Sequence, residues 1–481
     1  MTLMSHARPL VYKIGRVTVI LVCLAGPAVA QDAPLPPSTP DAPPAAAPAA
    51  PAPEVTALRT RLDALEQRTQ TLEAERARLL SQPAPAPRTA AAFTADESGF
   101  SLTSADRLYQ FRLKGQYQVD VRRFFDDTAL GVNDTFLVRR ARPIVAGTLF
   151  GLTDFYLAPD FGNNTIALYD AYLDTHPWPW LRLRVGKFKG PVGLERLQSD
   201  SDLVFVERAL DANLSSQREV GFELWGDVAG GLVRWEAAMF NGNPDNGLND
   251  IDNNHAKSYG GRLFIQPFAL EPLRFAGRLG VGIAFSTGNE RGSATMPWLN
   301  AFKSPGQQSI FSYLASTPAN TVFAQGRHTR INPQLYYYFA SFGLLAEWVK
   351  EYQELANSLG TGAVNNNAAH VTASFAIGGD ATYEGVKPHH PASIAGHTFG
   401  ALEIGLRYEY LHVDPDAFPA AADPSKSVRQ AQSGGIALNW QLTRNIKASA
   451  DYVQTWFDGG APKSADRARE KVGTARFQLY F

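Results

Sequence analysis

The chain reads as an all-β protein: a 16-stranded antiparallel transmembrane β-barrel with an N-terminal coiled-coil helix. Three observations predict it. First, Ala475, Phe477, Leu479 and Phe481 fall on one face of an extended C-terminal segment, and Thr474, Arg476, Gln478 and Tyr480 on the other. Successive strand side chains point to opposite sides, so one face suits lipid and the other water. Second, the same alternation returns repeatedly from about Tyr109 onward. Third, the N-terminus carries the marks of export. A final strand that ends on an aromatic is what an outer-membrane barrel is expected to close with.

Residues 1–30 form a secretory signal peptide. Arg8, Lys13 and Arg16 supply the basic region, Val17 to Ala25 the apolar core, and Ala28-Val29-Ala30 the small-residue cleavage site. The apolar run is too short to span a bilayer. Cys23 is the only cysteine and lies inside that core. Val22 before it is a poor match to a lipid-attachment site, so the mature chain is expected to have no disulfide and no thiolate chemistry. Of 45 Lys+Arg against 46 Asp+Glu, the signal takes three basic residues, leaving 42 against 46. Any preference for anions must therefore come from where the basic residues sit. The composition, 45% hydrophobic with no long apolar run after the signal, is that of a barrel whose lipid-facing residues are interleaved with polar ones.

Residues 31–53, almost entirely Ala and Pro, are expected to be a semi-rigid spacer. In 54–80, Leu58, Leu65, Leu72 and Leu79 recur every seven residues, and Val55 and Leu62 fill the alternate seam positions before Thr69 and Arg76 interrupt it. This predicts a short coiled coil. So short a helix is marginal alone and calls for a trimer or another partner. A second linker over 81–99 leads to a barrel domain over 100–481.

Within the barrel, Phe111, Leu113, Tyr117, Val119 and Val121 oppose Arg112, Lys114, Gln116, Gln118, Asp120 and Arg122; Leu181, Leu183 and Val185 oppose Arg182 and Arg184. A charge on the lipid face costs about 2–4 kcal/mol near the midplane, so the charged face points into a wet lumen. A soluble sandwich would normally show shorter, evenly spaced strands. Strands are predicted near 109–124, 135–150, 153–161, 166–176, 180–189, 219–226, 231–240, 257–267, 272–286, 328–339, 342–353, 369–377, 398–411, 432–441, 445–455 and 472–481. An even number suits a closed bacterial barrel, and this size leaves an aqueous channel. Connections such as 177–179, 340–341 and 442–444 are brief and should face the periplasm; 190–218, 287–327 and 357–368 are long and should face outward. The stretch from Gly378 to His390 falls where a short periplasmic turn is expected and is long instead.

Strand parity makes Arg112, Lys114, Arg122, Arg140, Arg142, Arg182, Arg184, Arg234, Arg262, Arg278, Arg330, Arg407, Lys447 and Arg476 inward-facing. The same parity turns Asp120, Asp154, Asp160, Asp170, Asp174, Glu236, Glu403, Glu409 and Asp451 inward. Guanidinium groups replace part of an anion's hydration shell through charge-assisted hydrogen bonds, and conduction favours several moderate sites over one deep well. The alternative is a network of Arg–carboxylate pairs that braces the wall and selects nothing.

Phe136-Leu-Val-Arg-Arg-Ala-Arg142, Gly147-Thr-Leu-Phe150, Asp170-Ala-Tyr-Leu-Asp174, Arg184-Val-Gly-Lys-Phe-Lys189, Gly193-Leu-Glu-Arg196 and Glu207-Arg-Ala-Leu210 occur in order. With Gly435-Ile-Ala-Leu-Asn-Trp440 and Ala448-Ser-Ala-Asp-Tyr452, they resemble the phosphate-selective porin O and P family over roughly residues 100–481. The resemblance implies a homotrimer of 16-stranded barrels, each with its third extracellular loop folded inward. It also implies an arginine path and a lysine cluster guiding phosphate or polyphosphate. By position it makes Arg139 and Arg140 the paired arginines of the second strand and Arg262 an arginine of the eighth. Lys187 and Lys189 join the basic path, and Arg196 stands where the family often has lysine. Arginine is a planar bidentate donor and lysine a mobile point charge, so selectivity for phosphate over other anions is the property this departure touches.

No other chemistry is indicated. His389-His390 lacks metal-ligand spacing, no cysteine or carboxylate cluster completes a site, and no nucleophile motif is present; an outer-membrane hydrolase would need a Ser and a His meeting on the barrel's outer wall, for which His370, at the start of a strand, is a candidate without support. The reading is therefore a non-enzymatic outer-membrane porin for small, phosphate-like anions, with no cofactor and no nucleic-acid partner. The alternative is a structural outer-membrane protein whose coiled coil contacts the cell wall.

Overall fold

A computed structural model of the chain describes residues 53–81, 91–125, 131–245, 250, 252, 255–269 and 278–481. The expected signal peptide, the first spacer up to residue 52 and residues 82–90 of the second linker lie outside the described residues. The chain divides into two units, Met1–Ala84 and Pro85–Phe481.

In the first unit a single helix runs Pro53–Ser81. Leu62, Leu65 and Leu72 on its predicted seam are 58%, 62% and 58% exposed.

The second unit is the barrel. Its strands are β1 Gln110–Phe125, β2 Thr135–Leu149, β3 Thr153–Asp160, β4 Ala167–Trp178, β5 Leu181–Lys189 and β6 Arg218–Val228. There follow β7 Val233–Phe240, β8 Ser258–Ile265, β9 Arg278–Arg291, β10 Phe323–Phe339 and β11 Phe342–Asn357. The circuit ends with β12 Gly360–Ile377, β13 Ala401–His412, β14 Val428–Gln441, β15 Ile446–Ala461 and β16 Glu470–Tyr480. Each strand pairs antiparallel with the next, and β16 pairs with β1 from Lys471↔Phe125 to Tyr480↔Gln116, which closes the barrel at 16 strands. A closed sheet leaves no unpaired edge for lipid to meet.

The alternation is as the sequence requires. On β1 the outward Phe111, Leu113, Tyr117 and Val121 are 38–47% exposed, whereas the inward Gln116, Gln118, Asp120 and Arg122 are at most 7% exposed. The lumen is therefore filled rather than open at this level.

Three boundaries differ from the sequence reading. The stretch 357–368 is not a long loop: β12 begins at Gly360, and only Ser358 and Leu359 separate it from β11. Pairing along the whole of β11, from Phe342↔Phe375 to Asn357↔Gly360, overrides the low strand preference of glycine and asparagine there. The segment read as a linker over 81–99 contains a strand, Ala92–Asp96, which pairs with Gly99–Thr103. That hairpin continues the sheet on β1 beyond the end of β16, through Phe100↔Leu113 and Thr103↔Gln110. Third, β10 starts at Phe323 and not near 328, while residues 272–277 of the ninth predicted strand lie outside the described residues.

Three segments leave the wall and enter the barrel. The loop 190–217 after β5 crosses the lumen. The loop 292–322 after β9 folds over it from the outer rim, its Phe302, Ile310 and Phe311 buried with Ala417 and Ala422 of the loop after β13. From the opposite rim the turn after β12 sends up a hairpin, Gly379–Thr382 with Gly385–Pro388. Its Ala381 and Val386 are buried with Leu194 of the first loop, Phe264 and Tyr336. This accounts for the unexpected length of that turn.

Candidate functional site

The site is the neck where loop 190–217 meets the wall. Wall groups hold this loop largely through its own backbone. Glu347 on β11 accepts hydrogen bonds from Leu194 N at 2.5 Å and Glu195 N at 2.7 Å, and Asn332 accepts one from Gly193 N at 2.8 Å. Glu409 accepts from Leu210 N, and Asp451 from Val206 N, each at 2.8 Å. Wall cations donate to its carbonyls: Lys447 to Leu203 O at 2.8 Å, Arg476 to Val206 O at 2.7 Å and Arg407 to Glu207 O at 3.0 Å. Tyr383, at the tip of the hairpin from the opposite rim, donates to Leu194 O at 2.6 Å. Buried backbone polar groups need such partners, so many inward carboxylates anchor a loop and do not simply offset lumen arginines.

Two loop carboxylates gather the arginines. Asp200 pairs with Arg140 at 3.0 Å, with Arg142 at 2.5 Å and with Arg208. Glu207 pairs with Arg139 at 2.7 Å, Arg122 at 2.9 Å and Arg476 at 3.3 Å. Burial alone would raise both acids, yet these neighbouring guanidinium groups hold Asp200 and Glu207 well below the usual carboxylate range. The wall carboxylates Asp160, 2.6 Å from Arg142, and Asp120, 2.7 Å from Arg476, share the load. Six guanidinium groups thus meet four carboxylates.

Arg139 and Arg140 reach the same side because the pairing slips between β1 and β2. Gln118 faces Arg140 and Val119 faces Val138, so Arg139 is the extra residue of a β-bulge. Strand parity alone would have turned one of them toward lipid.

The other expected site residues are placed as follows. Arg182 and Arg184 bond Asp174 at 3.0 and 2.9 Å, and Arg184 also bonds Glu223 at 2.9 Å. Arg262 bonds Glu236 at 2.9 Å. These are the bracing pairs of the alternative reading. Lys189 donates to Leu197 O and Gln198 O, and Arg196 to Ala212 O at 2.7 Å; neither meets a carboxylate among the described residues. Burial, then the nearby Arg208 and Arg218, lower Arg196 to about 10, which still leaves it protonated at neutral pH. Arg112 donates to Gln110 beside the Ala92–Thr103 hairpin. Lys114 lies 5.9 Å from the ring centre of Tyr480, and Arg278 lines the lumen toward the short-turn rim. Lys187 is a correction. It is cross-strand to Ala171 and Val220, on the face of Leu183 and Val185, and is buried against Asp250 at 2.6 Å, so it is not in the inward row.

Two cavities meet at the neck and share Arg142, Asp200 and Arg218. The one toward the long loops has a volume of about 420 Å³ and is lined by seven basic residues, among them Arg139, Arg196 and Lys303, against three acidic ones. The one toward the short turns has about 620 Å³ and is lined by seven basic and five acidic residues.

Sequence reasoning missed Asp200, Glu207 and Arg208 as partners in the neck, because loop residues carry no strand parity, and Arg218, read as the end of that loop, is instead the first residue of β6. It also missed two wall glycines. A Cβ on Gly405 would lie 2.3 Å from Val204 Cγ1, and one on Gly435 2.8 Å from Phe205 Cε1, so both glycines make room for the loop. Finally, the fold assembles a cluster not foreseen from spacing. Asp211, Glu347 and His370 bring ligand-type atoms within 4.8 Å of one another, with His370 Nδ1 2.7 Å from Asp211. Glu347 spends its oxygens on loop amides, which makes the trio part of the loop anchorage.

Residues 111–481 match the family described as phosphate-selective porin O and P. The chain belongs to that family. The porin O and P family is one of channels, so the protein is a channel-forming protein of the outer membrane rather than an enzyme. Porin O of Pseudomonas aeruginosa is 21% identical over 404 residues, covering 75% of this chain and 86% of that protein. Among solved structures, the anion-selective porin from Comamonas acidovorans is 10% identical with a TM-score of 0.49, covering 78% of this chain and 100% of that one. The outer membrane channel DcaP of Acinetobacter baumannii is 10% identical with a TM-score of 0.49, covering 79% of this chain and 99% of that one.

Proposed function

We propose that the protein gives passive, anion-preferring diffusion across the outer membrane, with phosphate or polyphosphate as the favoured class. The observation that carries this is the charge balance at the neck, where six guanidinium groups share four carboxylates and Arg196 and Lys189 have none among the described residues. A basic group about 5 Å from an anion contributes about 3 kcal/mol at an effective dielectric of 20, so a surplus of a few cations is enough to sort ions by sign. Planar guanidinium donors suit tetrahedral oxyanions. The family's description supports phosphate.

Reconstitution of the full chain in planar bilayers under a potassium chloride gradient tests the sign. A reversal potential of cation sense rules the reading out. Competition of the chloride current by phosphate, pyrophosphate and small carboxylates then ranks the anions; equal competition by all would leave anion preference and remove the phosphate part.

A second reading rests on the helix Pro53–Ser81 with its exposed leucines. The helices of a homotrimer would bury that stripe, and the same segment could contact the cell wall. Deleting residues 54–80 separates the roles: intact conductance with failed envelope integrity favours the structural one.

A further inference from the structure

We propose that the cavity on the short-turn side of the neck is a binding station for aryl oxyanions, small aromatic rings that carry a carboxylate or a phosphate. The proposal rests on the anion-conducting reading above and adds a substrate class to it. A hydrated inorganic ion needs charge and water along its path, and gains little from rings. Yet this cavity is walled by aromatic pairs. Tyr156 and Tyr172 stack with ring centres 5.4 Å apart and planes 11° apart. Tyr336 and Tyr383, on another wall, are 5.2 Å and 26° apart. Tyr156, Tyr172 and Tyr383 are only half-buried and line the open volume.

Cations are interleaved with the rings. Arg184 lies 5.0 Å from the ring centre of Tyr172, and Arg262 lies 4.4 Å from that of Phe264. Five of the seven lining basic residues are paired with carboxylates, whereas Arg278 and Lys189 meet none among the described residues, which leaves charge for one small anion. The volume of about 620 Å³ is that of a small-molecule site, within the ~300–1,000 Å³ such sites occupy, and far larger than one oxyanion requires. Aromatic stacking favours an aryl ring over a saturated one of equal charge and size, and an aromatic pair is worth about 3–10-fold in affinity.

The test uses the full-length protein in planar bilayers, with chloride current read at constant ionic strength while the probe is added on the short-turn side. Benzoate is expected to halve the current at about 3–10-fold lower concentration than cyclohexanecarboxylate, and phenyl phosphate at lower concentration than inorganic phosphate. The double substitution Tyr156→Leu with Tyr172→Leu should bring the benzoate ratio toward one while leaving chloride-over-potassium selectivity as in the native channel. Tyr172→Phe, which keeps the ring, should retain the ratio. Equal block by benzoate and cyclohexanecarboxylate in an anion-preferring native channel overturns this proposal alone, as does a ratio that survives loss of both rings. A cation-preferring native channel overturns the anion reading and this one with it.

Discussion

Arg139 and Arg140 are adjacent in sequence, yet both side chains reach carboxylates of the inward loop, Arg139 meeting Glu207 at 2.7 Å and Arg140 meeting Asp200 at 3.0 Å. The bulge at Arg139 makes this possible, and it doubles the cationic density at one height of the wall. Loop and arginines are then mutually dependent. The carboxylates hold the loop across the lumen, and the loop holds the guanidinium groups at its edge.

Asp200 is the negative charge most central to that arrangement, since Arg140, Arg142 and Arg208 all meet it. Asp200→Asn should therefore raise the preference for anions. One charge acting through water at about 7 Å is worth about 0.6 kcal/mol on each ion, with opposite sign for chloride and potassium, so the chloride-to-potassium permeability ratio should rise about eightfold. Reversal potentials in a salt gradient read this directly. An unchanged or lower ratio would show that ions do not pass near Asp200.

The same carboxylates set the acid limit of the constriction. Neighbouring guanidinium groups depress both Asp200 and Glu207 against the opposing effect of burial. A carboxylate with a depressed folded value adds stability that is fully present above its unfolded value, about 3.9 for Asp and 4.3 for Glu. That stability is lost only as pH falls through the depressed value. The hold that Asp200 and Glu207 have on the loop should therefore stay constant as pH drops from 8 to about 4.5, and a rise in single-channel conductance that depends on these two residues should come only well below about pH 4. A rise between pH 6 and 5 would trace instead to the wall carboxylates Glu347, Glu409 and Asp451, which also hold the loop, and would overturn the assignment of the acid limit to Asp200 and Glu207.

Arg196 and Lys187 separate lumen from outer face. Arg196 lines the outer cavity with no carboxylate beside it among the described residues, whereas Lys187 lies on the face of Leu183 and Val185 and is paired with Asp250. Arg196→Gln should lower the chloride-to-potassium ratio about eightfold by the same Coulomb argument, and Lys187→Gln should leave it at the native value. If both substitutions acted alike, the parity assignment of Lys187 would be wrong.

How far the site was legible follows from parity. Period two along a strand, with lipid on one side, determined the inward row on β1, β5 and β16, and Arg476, Asp120 and Gln118 stand where that rule puts them. The rule fails where the backbone slips: without the family resemblance, nothing in Phe136–Arg142 reveals that Arg139 is a bulge. It is also silent for loops, so Asp200 and Glu207 had no assigned direction, although their approach to the wall decides the charge at the neck. The Gly- and Asn-rich start of β12 read as a loop because local preference was weighed without its partner strand. The hairpin at Gly379–Pro388 was visible only as excess length, since its burial depends on Leu194, Phe264 and Tyr336 from distant parts of the chain.

Gly405 and Gly435 show what the inward loop requires of the wall. Both lie on the lumen face, Gly435 cross-strand to Arg407 and Gly405 two residues before it on β13; Val204 and Phe205 cover Gly405, and Phe205 covers Gly435. A side chain at Gly405 would sit 2.3 Å from Val204 Cγ1, inside any real contact distance, so the loop tip must move. Arg407, stacked 4.3 Å from the Phe205 ring centre, and Asn439, which donates to Val204 O at 2.8 Å, would lose their register with it. Gly405→Val should therefore leave the barrel closed, because its strand pairing does not involve the lumen face, while widening the neck. Overpacking of this kind typically costs about 1–3 kcal/mol, enough to displace a loop tip but not to unfold 16 paired strands. Single-channel conductance should increase and anion preference decrease, with unaltered heat resistance of the folded band on electrophoresis. Native conductance in Gly405→Val would mean that the loop does not form the narrowest point of the path.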